Sequence, residues 1–178
     1  MFKRCLSVIA IALLACPALA EEATTGPVID GYGAAFAVAD RDVPLVKDHI
    51  YRVVYEITAY EGSPNAVNRE LDTVARFLNM HGKNGVPTEN LQLAVVIHGA
   101  ALINVLNDTS YQKRFEMKNP NLDLLGKLAA AGVKFYACGQ SMGGRGFAKS
   151  ELASGVQLAL SAMTMVHQLQ ADGYTLQP

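Results

Sequence analysis

The sequence has no tryptophan, little cysteine, no surplus of charge of either sign and, past residue 20, no long uncharged apolar run. Each absence excludes something. Fifteen Lys and Arg stand against sixteen Asp and Glu, so neither a basic face for nucleic acid nor an acidic tail is expected. Nothing in the body of the chain approaches the roughly 20 apolar residues that span a bilayer, so no transmembrane segment is expected there. Three cysteines are too few for a disulfide framework, because Cys5 and Cys16 lie in the first twenty residues and Cys138 stands alone. His49, His81, His98 and His167 show no metal-ligand spacing and one cysteine does not make a structural zinc site, so neither a metal nor another cofactor is expected.

What the first twenty residues do contain is directional. Lys3 and Arg4, the apolar run from Cys5 to Cys16 and then Pro17-Ala18-Leu19-Ala20 supply the basic, apolar and small-residue parts of a secretory signal, with cleavage after Ala20. Leu13-Leu14-Ala15-Cys16 keeps a lipoprotein alternative open, with Cys16 as an acylated N-terminus. Plain export predicts a periplasmic or secreted protein whose mature chain carries a single thiol. Such a thiol cannot close a disulfide within its own chain, so it is buried, modified, paired between chains or kept for chemistry.

Residues 21–49 carry Thr, Gly and Pro with little periodicity and read as an N-terminal extension. From Ile50 the pattern changes. Ile50 to Ile57 is β-branched and aromatic with charges at alternate positions, as in a strand with one less-buried face. Ser63-Pro64 predicts the start of a helix over about 65–81 that Gly82 ends. Leu91 to Ile97 is a nearly continuous apolar strand, suited to the middle of a parallel sheet, followed by a helical stretch near 100–106. Asn119-Pro120-Asn121 predicts a helix over 122–131, and Val133 to Cys138 a strand running into a glycine-rich turn. A helical turn at 149–152, a strand at 156–160, a helix at 161–171 and a last strand near 174–176 follow. Strands alternating with helices imply βαβ units in one three-layer α/β/α domain over 50–178.

Val96-Ile97-His98-Gly99, Asn119 to Leu125, Ala131 to Ser141, Arg145-Gly146 and Ala159 to Thr164 together resemble an exported DsrE/DsrF-like protein, from about Ile50 to the C-terminus. The resemblance implies a five-stranded, mainly parallel sheet flanked by helices, and a homo-oligomer, a trimer or a hexamer. It also implies kinship with sulfur-relay proteins in which a cysteine at this strand end holds a persulfide, so that sulfur donor and acceptor proteins or small thiols are the expected partners.

If the strands ending at Ile97 and Ala137 are parallel neighbours, His98 and Cys138 emerge together at the carboxyl edge of the sheet, where open α/β sheets form ligand crevices. Cys138 is the candidate nucleophile and His98 the candidate base for its proton. Gly139, Gln140, Ser141 and Arg145 are the candidate ligand- or anion-binding residues. A bland reading stands beside each. Unpaired cysteine is among the most buried residue types, a histidine after a strand often only orders a turn, and Arg145 suits a subunit interface as well as an anion. The glycines from Gly139 to Gly146 lack both the Gly-x-Gly-x-x-Gly spacing and a Gly-Lys-Ser/Thr ending, so no nucleotide loop is predicted. A noncatalytic ligand-binding or assembly module is the alternative to sulfur transfer.

Overall fold

The computed structural model describes residues 22–60 and 63–177. The expected leader, with Cys5, Cys16 and the Ala18-Leu19-Ala20 pattern, lies outside the described residues. Five strands make one sheet: β1 (Tyr51–Ile57), β2 (Leu91–Ile97), β3 (Lys134–Cys138), β4 (Val156–Ala159) and β5 (Thr175–Gln177). Their spatial order is β4-β3-β2-β1-β5 and every pairing is parallel. The helices are α1 (Arg69–Lys83), α2 (Asp108–Phe115), α3 (Leu122–Ala130), α4 (Gly139–Arg145) and α5 (Ala162–Ala171), with 3-10 turns at Gly99–Val105 and Lys149–Glu151.

Side chains alternate across a strand, and here the two faces bury very different amounts. Val53, Tyr55 and Ile57 of β1, Leu93, Val95 and Ile97 of β2, and Phe135 and Ala137 of β3 point to one face. There they meet Leu71, Val74, Ala75 and Leu78 of α1, at the spacing of a single apolar helical stripe, with Leu124, Leu125 and Leu128 of α3. Val54, Ala94, Val96 and Cys138 point to the other face and meet only Ala162 and Leu169 of α5 as buried partners.

The structure shifts several expected boundaries for local reasons. The first helix starts at Arg69 and not near Asn65, because the Asn68 side chain accepts from the amides of Glu70 and Leu71 at 3.0 Å each and so caps it. Gly82 lies inside that helix, beneath Val28 and Pro27, where a Cβ would approach Val28 to 3.0 Å. Helix α2, capped by Asn107, was not expected. Gly139 to Arg145, expected as a turn, forms a short helix closed by Gly146 in the left-handed region at φ 67°.

The extension is ordered where it is described. Asn79, fully buried on α1, accepts from the amides of Val28 and Ile29 at 3.1 and 2.8 Å and donates to the carbonyls of Ile29, Tyr32 and Gly33. Gly33 lies so close to α1 that a Cβ would sit 2.3 Å from the Arg76 nitrogen. This strap delivers Ile29 into the main core.

Candidate functional site

Strands β2 and β3 are in register with Ile97 opposite Ala137, so His98 and Cys138 leave neighbouring strands at the same carboxyl edge. Cys138 is 4% exposed and is the N-cap of α4, its sulfur accepting from the Ser141 amide at 3.5 Å. Ala162, at the start of α5, is buried in the same small cluster as Cys138.

Burial alone would push the thiol up. Hydrogen bonds from the Ser141 hydroxyl and from the amides of Ser141, Ala162 and Gln140 outweigh it, so the Cys138 pKa lies below the ordinary thiol value. Lower pKa means more thiolate at neutral pH, and the thiolate is the nucleophile.

Glycine at 139 is what permits this approach. A Cβ there would stand 2.7 Å from the Ala159 carbonyl oxygen and 3.1 Å from that of Leu160. Gln140 is exposed and its amide reaches the Leu160 carbonyl at 3.4 Å. The Ser141 hydroxyl accepts from the Gly99 amide at 3.2 Å, which ties the end of β2 to the cysteine helix. Arg145 is exposed.

His98 does not bond the thiol. Its Nε2 lies 2.9 Å from Oε1 of Glu56, a partly exposed ion pair when the ring is protonated, and its backbone amide donates to the Ile57 carbonyl. The group that touches the sulfur in its place is Ser141. Glu56 and Ala162 were not picked out from the sequence. Glu56 carried a usable signal, a charge on the outward face one residue before its strand ends; Ala162 carried none, since it acts through its backbone. Among the described residues no group of three His, Cys, Asp or Glu side chains comes together as a metal site.

These features define an open, five-stranded parallel α/β protein with a polarised, helix-capped cysteine at a strand end. Residues 53–178 match the DsrE/DsrF-like family, and the chain belongs to it. Two solved structures share the fold. A protein of unknown function, MTH1491 from Methanobacterium thermoautotrophicum, is 19% identical over 71% of this chain and 97% of its own, with a TM-score of 0.54. The ychN protein from E. coli is 20% identical over 71% of this chain and 96% of its own, with a TM-score of 0.51. A search of curated proteins found no match.

Proposed function

We propose that the protein is an exported sulfur carrier that holds sulfane sulfur as a persulfide on Cys138. The observation that carries this reading is the Cys138 sulfur held at the carboxyl end of β3 as the cap of α4, accepting from the Ser141 amide at 3.5 Å. In the transfer step the Cys138 thiolate attacks the outer sulfur of a donor persulfide R–S–S–H. The donor S–S bond breaks, Cys138–S–S–H forms and the donor leaves as R–S⁻; an acceptor thiolate then takes the outer sulfur in the same way. His98, oriented by Glu56 at the neighbouring strand end, takes the proton of the acceptor thiol. Arg145, exposed in the last turn of α4, meets the donor or acceptor. Export rests on the leader pattern ending at Ala20.

Mass spectrometry of the full mature chain after exposure to a low-molecular-weight persulfide tests the proposal. Wild type gains sulfur at Cys138 and releases it to added thiol, Cys138→Ser gains none, and His98→Ala passes sulfur on more slowly. Equal mass gain in wild type and Cys138→Ser sinks the relay.

A second reading, an assembly module, is favoured by the exposed apolar side chains beside the cysteine. Leu160 is 70% exposed and Met163 80% exposed, with Met165 and Val166 half-buried on the same helix. Both readings include a trimer or hexamer built on this surface. They part on the thiol: an assembly module keeps Cys138 unmodified by any persulfide while light scattering still reports the oligomer.

A further inference from the structure

The second half of the N-terminal strap, residues 37–50, meets the end of α1 at Asn84, the residue that caps that helix. Its Oδ1 accepts from the Val38 amide at 3.0 Å and from the Arg41 guanidinium at 3.1 Å, and its Nδ2 donates to the Met80 carbonyl at 2.7 Å. The Asn84 amide in turn donates to the His81 carbonyl, which also accepts from the Val86 amide. His81 therefore stands at the root of this attachment.

His81 is 8% exposed, deep for a group that titrates near neutral pH. Its Nδ1 lies 2.8 Å from the Phe77 carbonyl, which can only accept, so Nδ1 carries the proton of the neutral ring and Nε2 the lone pair. The Phe77 and Tyr51 rings pack on the imidazole with centroids 4.0 and 4.6 Å away. Together with Val38, Arg41, Leu45, Met80 and Asn84, His81 lines a small cavity of about 170 Å³.

The charges around the imidazole come from three elements. On the strap, Arg41 faces the cavity, whereas Lys47 and Asp48 line a neighbouring one with His49, and Asp40 and Asp42 line neither. On β1, Tyr51 lies between His81 and His49, whose ring is 4.5 Å from that of Tyr51. On α1, Lys83 turns to the Thr24 hydroxyl at 2.6 Å. No carboxylate lines the His81 cavity, and the Asn84 oxygen is already taken twice. A proton added at Nε2 thus sets a second positive charge near Arg41 in largely apolar surroundings. Burial accordingly holds the His81 pKa below the ordinary imidazole value, although the Phe77 carbonyl draws it up.

We propose that His81 is an acid-sensitive latch for residues 37–50: protonation at Nε2 loosens the strap from the end of α1 and opens the cavity beneath it. The sign follows from linkage. An opened imidazole takes its proton at ~6.5 and the closed one only at lower pH, so the latch is fully shut above ~6.5 and weakens as pH falls from there toward the closed-state value. Sulfur chemistry at Cys138 plays no part in it.

Backbone hydrogen exchange of the full chain, corrected for the intrinsic pH dependence of exchange, reads the latch. Between about pH 7.5 and about pH 5.5 the protection of the Val38 amide should fall by up to about tenfold, while Val28 and Ile29, held by Asn79, keep theirs. His81→Phe keeps a ring between Phe77 and Tyr51 but cannot titrate, and should abolish the fall; His49→Gln should leave it in place. The proposal is overturned if Val38 protection does not fall, if the fall survives in His81→Phe, or if His49→Gln removes it. NMR titration of the wild-type ring resonances needs no variant: the His81 midpoint should lie below ~6.5 and coincide with the loss of Val38 protection. Cation–π attraction to Phe77 and Tyr51 works in the opposite direction, and a His81 midpoint at or above ~6.5 would equally overturn the latch.

Discussion

Among the described residues, twenty-four buried ones from strands, helices and the N-terminal strap form one cluster on the face of the sheet that carries α1 and α3; on the face that carries α5, six do. Cys138 belongs to the sparse face. The difference teaches that stability and chemistry are divided between the two sides. A dense face holds the register of the strands, so the other side can keep a reactive atom under a single helix whose outer residues, Met163 among them, remain uncovered.

The comparison breaks most visibly at the centre of the dense face. Leu78, with no exposed surface, should cost about 4 kcal/mol as Leu78→Ala, since the surrounding core cannot collapse into the gap. Urea unfolding measures it, and a loss comparable to a surface substitution would show that the dense face does not carry the fold. Next comes Asn79→Ala, which removes five hydrogen bonds to the strap and should cost about 3 kcal/mol. Limited proteolysis should then cut between residues 22 and 36, where wild type resists.

On the sparse face, Leu169→Ala should cost about 2 kcal/mol, less than Leu78→Ala because α5 can settle inward. An equal or larger loss would contradict the division. The smallest effect is pH-dependent. A thiol whose folded pKa is depressed stabilises the fold when ionised; that contribution is complete above the unfolded thiol's pKa and is lost as pH falls through the folded value. Stability should therefore rise slightly as pH climbs toward the ordinary thiol range, and Cys138→Ser should flatten the rise in denaturation midpoints measured across it.

Much of this architecture is legible in the residues. Leu91 to Ile97 announces a buried parallel strand by its unbroken apolar run, and the structure assigns those same residues to β2. Ser161, expected as a cap, accepts from the Thr164 amide at 3.0 Å and starts α5. Boundaries failed where two residues compete for one role. Ser63 and Asn68 both suit a helix start, and the outcome turns on the Asn121 side chain, which accepts from the Asn68 amide from 53 residues away. Three glycines between 139 and 144 argue against a helix locally, yet close packing on the Ala159 and Leu160 carbonyls needs Gly139, and Cys138 supplies the cap. At the candidate site the strand-end neighbours were legible, while the partners were not. Ser141 reaches the sulfur, and His98 turns to Glu56, through distances that spacing alone does not encode.

The shortness of β5 has a consequence in time as well as in space. Three exposed residues paired only with Val53, Val54 and Tyr55 form the end of the sheet that costs least to open. Amide hydrogens of Thr175 to Gln177 should exchange with solvent faster than those of the seven-residue ladder between β1 and β2, which can open only with the whole domain. That edge frays on its own clock, while the buried register of the central strands stays closed.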